Sequence, residues 1–164
     1  MLDFLKKRNS DASLVKNITE TSSGTDFAKG TLGQRTSNEI DLKISSFSVT
    51  EKTVIVLATD PDRNKNPYGK TIFFTFPYDL PDGEHYFNEE SRIGVIQYAE
   101  NYDYDTPAFE GVRDNEGFVY IVFDKNHGTL LARLHNIKLA QKNGKANISI
   151  DNVSLFASGL IIND

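Results

Sequence analysis

Three histidines, His85, His127 and His135, stand far apart in a 164-residue chain that contains no cysteine. A zinc centre needs three or four convergent ligands, commonly at spacings such as H-x-x-x-H. No metal site or cofactor is therefore expected. The missing cysteine removes thiolate ligands, disulfides, iron–sulfur clusters and a cysteine nucleophile together. Asp60, Asp62, Asn64 and Asn66 alternate as calcium ligands do, but the sixth and twelfth loop positions hold Lys65 and Thr71, where an EF-hand needs Gly and a bidentate Glu. This stretch reads as a polar hairpin loop.

The stretch richest in chemical groups is "ENYDYDTPAFEGVRDNEG". Residues 100–116 hold Glu100, Asp103, Asp105, Glu110, Asp114 and Glu116 against Arg113 alone, which accounts for the whole formal charge of −5. Tyr98, Tyr102, Tyr104 and Phe109 are interleaved with them. Tyr98, Tyr102, Asp103, Tyr104, Asp105, Phe109 and Glu110 form the expected binding surface, suited to a basic protein or a cationic ligand. The plainer reading is an irregular edge strand around "NYDYD", its tyrosines packed on the sheet and its aspartates solvated.

Catalysis has little support. Asp103 and Asp105 share one strand face, whereas glycosidase carboxylates flank the substrate about 5–9 Å apart. No G-x-S-x-G elbow, P-loop or dinucleotide fingerprint is present. The expected function is a non-enzymatic binding or protein-interaction module. The alternatives are a small-molecule carrier with a barrel cavity and a carbohydrate-binding module, the latter weakened by the absence of Trp.

The elements that position these residues read as strands. "NEIDLKISSFSV" alternates through Ile40, Leu42 and Ile44, then changes phase to Phe47 and Val49, as a bulge at Ser45–Ser46 produces. "TVIVLAT", "TIFFTF" and "GFVYIVFD" are apolar on both faces, the pattern of strands covered on both sides. Pro81-Asp82-Gly83 and Asn143-Gly144 are turn signals. A phase change between Leu134 and Ile137 marks a second bend at His135–Asn136. These features predict an all-β antiparallel sandwich of about ten strands over residues 26–164, or a closed, lipocalin-like barrel, preceded by a flexible tail at residues 1–25. With no basic stripe, no secretory signal and no long apolar run, neither nucleic acid nor membrane is an expected partner. The expected location is cytoplasmic.

Overall fold

A computed structural model describes residues 26–34, 38–61, 69–100, 108–141 and 146–163. The expected tail at 1–25, the interior of the Asp60 loop and the Asn143-Gly144 turn lie outside them. The strands are β1 (Phe27–Gly33), β2 (Glu39–Thr50), β3 (Thr53–Thr59), β4 (Lys70–Pro77), β5 (Gly83–Tyr86), β6 (Ile96–Glu100), β7 (Phe109–Gly111), β8 (Phe118–Asp124), β9 (Thr129–Ala140), β10 (Ala146–Ala157) and β11 (Ile161–Asn163). No helix occurs among the described residues.

The sandwich expectation is overturned in favour of the barrel. Neighbours run β10-β1-β2-β3-β4-β6-β7-β9, and β9 pairs again with β10, which closes a ring of eight. Every pairing in the ring is antiparallel. A sandwich and a barrel share the same inward alternation. What separates them is whether long strands bend enough to join the two ends of the sheet.

Two phase changes do that bending, each where a strand edge passes from one partner to another. β2 pairs with β1 through Glu39–Lys43 and in parallel with β11 through Ser48–Thr50, and its register with β3 shifts between Ile44 and Ser46. β9 pairs with β8 through Thr129–His135 and with β7 through Leu139 and Ala140. Between them, Asn136 takes a positive φ of 51°. Opposite this bend, β10 carries an extra residue relative to β1, because Thr31 pairs with Asn152 and Leu32 with Ile150.

The interior is filled by side chains. Ile40, Leu42, Val54, Val56, Phe74, Tyr98, Leu134, Ile150 and Leu155 are all buried in one cluster. Phe123 lies at one end, edge-on to Phe47, Phe76 and Tyr78 at 6.1, 5.7 and 5.6 Å. At that same end the β2–β3 hairpin turns through Glu51 and Lys52, at φ 49° and 64°. Such turns favour Asn-Gly, because other residues pay for a left-handed backbone. The double substitution Glu51→Asn/Lys52→Gly is expected to raise stability by about 1–2 kcal/mol, read as a shifted urea midpoint at unchanged slope.

Candidate interaction surface

β6 is paired by β4 through Lys70–Phe74 and by β7 at Gln97 and Tyr98, so Tyr98 is not at a sheet edge, whereas Ala99 and Glu100, which lead into "NYDYD", pair with β4. Tyr98 is fully buried; its ring lies 6.2 Å from that of Phe109, also buried, and its hydroxyl donates to Glu100 Oε1 at 2.7 Å. Glu110 is exposed on β7 and accepts from Gln97 Nε2 at 3.2 Å. Tyr102, Asp103, Tyr104 and Asp105 lie outside the described residues. Of the seven expected site residues, the structure thus brings together Tyr98, Phe109 and Glu110, the two aromatics as core and the carboxylate as surface.

The basic residues near this segment act locally. Arg113 donates to the carbonyls of Asn88 (3.1 Å), Ser91 (3.4 Å), Ile93 (2.8 Å) and Gly94 (2.7 Å), with its guanidinium 4.5 Å from the Phe87 ring centroid. It fastens the irregular segment between β5 and β6. Lys138 Nζ lies 2.5 Å from Glu116 and 3.1 Å from Asp114. Partial burial pushes the Asp114 carboxyl up, but the Glu116 backbone N–H and the Lys138 ammonium outweigh it and hold it below the usual value. Asp124 is held low by the backbone and ring of His127. Both depressed carboxylates stabilise the fold above their unfolded values and lose that contribution as pH falls through the folded ones. Acid unfolding below about pH 4 is therefore expected to become shallower in Asp114→Asn, measured as thermal midpoint against pH.

The histidines stay apart. His85 Nε2 is 2.7 Å from the Pro81 carbonyl, His127 Nδ1 is 2.7 Å from Asp124, and the His135 ring is 4.8 Å from Phe118. No group of three metal-binding side chains is found among the described residues.

The register of the sheet assembles a different surface, on the outside of the barrel. Strand residues alternate between the two faces, so each directly paired set forms a row across one face. One outward row runs Val122, Leu131, Phe156 and Phe27 across β8, β9, β10 and β1. The next runs Glu84, Tyr120, Arg133, Ser154 and Lys29, and the third runs Tyr86, Phe118, His135 and Asn152. Seven apolar or aromatic side chains thus share one outer face.

Apart from Tyr120, which makes a further contact, their exposure fits a surface without a covering layer among the described residues. Phe27, Phe118, Tyr120, Val122, Leu131 and Phe156 are half-buried, and Tyr86 is 50% exposed with its ring 6.2 Å from Phe118. The same barrel turns Glu39, Asp41 and Lys43 outward on β2, all exposed. The outer face from β5 to β1 thus joins the apolar row to a row in which Glu84, Arg133, Ser154 and Lys29 flank Tyr120, while the opposite wall turns Ile55, Leu57 and Phe73 outward, also half-buried. The contiguous apolar part is the row Val122–Leu131–Phe156–Phe27, and such a run of outward apolar side chains is a candidate contact site.

This corrects the expectation that strands apolar on both faces are covered on both sides. "GFVYIVFD" buries Val119, Ile121 and Phe123 inside the barrel and leaves Phe118, Tyr120 and Val122 half-buried outside. The signal was present in the sequence; only the pairing of β8 with β9 and β5 shows which residues extend it into a surface.

A smaller apolar feature lies at the Phe123 end. Ile162 of β11 and Val49, Glu51, Lys52, Tyr78 and Asn163 line an open groove of ≈ 370 Å³. Ile161 and Ile162 are 61% and 64% exposed. No helix among the described residues is long and apolar enough to cross a membrane. Comparison with models of known families, with curated proteins and with solved structures finds no match to this chain.

Proposed function

We propose that this protein is a non-enzymatic interaction module whose contact surface is the outer face of β5, β8, β9, β10 and β1, and whose partner is a peptide segment combining apolar side chains with positive charge. The observation that carries the reading is the cross-strand row Val122–Leu131–Phe156–Phe27, half-buried with no covering layer among the described residues. Aromatic and aliphatic anchors of this kind supply binding energy, while their charged margins select the partner. Positive charge in the partner answers the charge of the body as a whole, since the face itself carries Lys29 and Arg133 against Glu84. Residues 1–25 hold Lys6, Lys7, Arg8 and Lys16 against Asp3, Asp11 and Glu20, which leaves residues 26–164 at −6.

The carrier reading has the closed barrel in its favour. Against it, the inward positions are taken by large buried side chains such as Phe74, Phe76 and Tyr98. The carbohydrate reading draws on the ring cluster Tyr86–Phe118–His135 and on polar groups of the adjoining row, Glu84, Tyr120, Arg133 and Ser154; against it, the chain has no Trp, the largest stacking face for a sugar.

The test is selection of random 12-residue peptides displayed on phage against the full chain, followed by binding to Leu131→Glu/Phe156→Glu. Both positions face outward but are half-buried and directly paired, so the two carboxylates cost some stability and binding is compared well below the variant's own thermal midpoint. Selected peptides rich in apolar and basic residues that bind the variant at least about tenfold more weakly support the reading. Peptides indifferent to the two substitutions overturn it.

A further inference from the structure

Among the described residues, β5 and β11 are the strands with a single strand neighbour. The phase of the ladder between β5 and β8 shows where the backbone groups of β5 point. Phe87 N–H donates to the Gly117 carbonyl and Phe123 N–H to the Asp82 carboxylate, both at 2.9 Å. Odd-numbered residues thus carry the bonds between the two strands, with Gly83 opposite Ile121 and His85 opposite Val119. Glu84 and Tyr86 turn their N–H and C=O groups to the other side. None of these four groups has a backbone partner there among the described residues. Both side chains are exposed on the outer face, Tyr86 by 50%.

We infer that the free edge of β5 takes up an extended peptide of another protein as an additional antiparallel strand, with a basic residue opposite Glu84 and an apolar residue opposite Tyr86. Four backbone hydrogen bonds at Glu84 and Tyr86 hold such a strand, and its alternate side chains supply the selectivity. In an antiparallel strand the residue opposite Tyr86 comes first, so the partner reads apolar-x-basic from its N-terminal side. This edge lies two strands away from Leu131 and does not rest on the function proposed for the row Val122–Leu131–Phe156–Phe27.

Charge selects the occupant. Residues 79–93 hold Asp79, Asp82, Glu84, Glu89 and Glu90 against Arg92 alone, a balance of −4. The cations around this edge are engaged elsewhere. Arg92 pairs with Asp79, Arg113 with four carbonyls, and Lys138 with Asp114 and Glu116. Lys125 lies over the Tyr78 ring at 4.8 Å, and Lys52 lines the groove beside Ile162. Arg133, two strands inward, donates to Asn152 Oδ1 at 2.6 Å. Glu84 is in no ion pair among the described residues, so a basic side chain opposite it meets an unanswered carboxylate. A second copy of β5 fits worse, because it sets the same negative balance against itself. The three residues of β11 expose Ile161 and Ile162 but carry no charge to choose a partner.

The test selects random 12-residue peptides on phage against the full chain and discards those that still bind Glu84→Lys. The substitution is on an exposed side chain of an edge strand and leaves the barrel interior untouched. Surviving peptides should share the apolar-x-basic pattern. Methylating their backbone nitrogens one at a time should weaken binding at least about tenfold at alternate positions and little between them, because every second N–H faces β5. Saturating peptide should also slow amide exchange at Glu84 and Tyr86 at least about tenfold and leave β11 unaffected. An absence of survivors overturns the inference, as does a methylation profile without the period of two or unchanged exchange at Glu84 and Tyr86. Protection of those amides that rises with protein concentration alone assigns the edge to a second copy and overturns it too. Survivors should be indifferent to Leu131→Glu/Phe156→Glu; a tenfold loss there would place them on the row instead and sink the inference. The discarded peptides test the row, so the two readings fail separately.

Discussion

Gly30→Ala is expected to cost about 3 kcal/mol or more and to leave much of the protein unfolded at 37 °C. Gly30 sits in the middle of β1, paired with Val153 on one side and Ile40 on the other. A Cβ at this position would fall on the Asn152 carbonyl oxygen, with the Val153 Cα at 2.7 Å. The obstacles are backbone atoms, so no rotamer change relieves the clash. Asn152 stands beside the extra residue of β10, where the strand bends hardest to close the ring. The substitution therefore acts on the seam of the barrel, not on a local contact. Far-UV circular dichroism with urea titration checks it. A variant within about 1 kcal/mol of the parent would show that β1 can shift away from β10 without opening the ring. Gly33→Ala is the informative companion. Its nearest obstacles are the side chains of Ser149 and Asp151, at 2.5 and 2.6 Å, and these can rotate away.

Arg113→Met is expected to cost about 3 kcal/mol. The guanidinium satisfies the carbonyls of Asn88, Ser91, Ile93 and Gly94 at once, and its flat face covers the Phe87 ring. Hydrogen bonds from a charged donor are worth about 1.5–3 kcal/mol each, and leaving part-buried carbonyls without a donor adds a penalty. Solvent reaching the vacated positions holds the total below the sum. Methionine keeps the apolar contact with Phe87, so the loss isolates the polar role. Arg113→Lys restores the charge but not the planar fork, and should recover less than half of the loss. Hydrogen exchange adds a spatial readout, with residues 87–95 losing protection before the barrel strands in Arg113→Met. Equal loss of protection throughout would show that this segment unfolds only with the whole domain.

Much of the fold is legible along the chain, and the reasons are local. The changes of phase at Ser45–Ser46 and at His135–Asn136 were readable because a single extra residue reverses which side chains face inward. Both fall where a strand edge changes partner. The turn signal at Pro81-Asp82-Gly83 falls on a bend at Asp82 that leads into β5, with Gly83 at φ 127°, while the hydrogen-bonded turn lies just upstream, where Leu80 donates to the Pro77 carbonyl. The turn at Glu51-Lys52 has no such signature, since both residues hold a left-handed backbone without being Gly or Asn. Closure was not legible. It depends on pairing β1 and β9 with β10 across long stretches of sequence, and inward alternation looks the same in an open or a closed sheet.

The site was legible in part. Tyr98 and Phe109 attract notice beside carboxylates, yet strand phase places both rings inside, where charge density along the chain says nothing. The outer face escaped notice because its members come from β1, β5, β8, β9 and β10. Each contributes one to three apolar residues that are unremarkable in isolation. Only the register joins Phe27 to Phe156, Leu131 and Val122.

The seam between β1 and β10 also sets a timetable for synthesis. β1 leaves the ribosome ahead of the other described strands, but its outer partner is complete only at Ala157. At about 5–20 residues per second, the roughly 120 residues between them take about 6–25 s to appear. During that interval the hairpin of β1 and β2 has one unpaired edge, and the apolar side chains meant for the interior have no opposite wall. The nascent chain is exposed to wrong pairings for longer than a barrel built from neighbouring hairpins alone would be. A circular permutant that places β9 and β10 ahead of β1 should shorten this exposure and yield more soluble protein at the same folded stability.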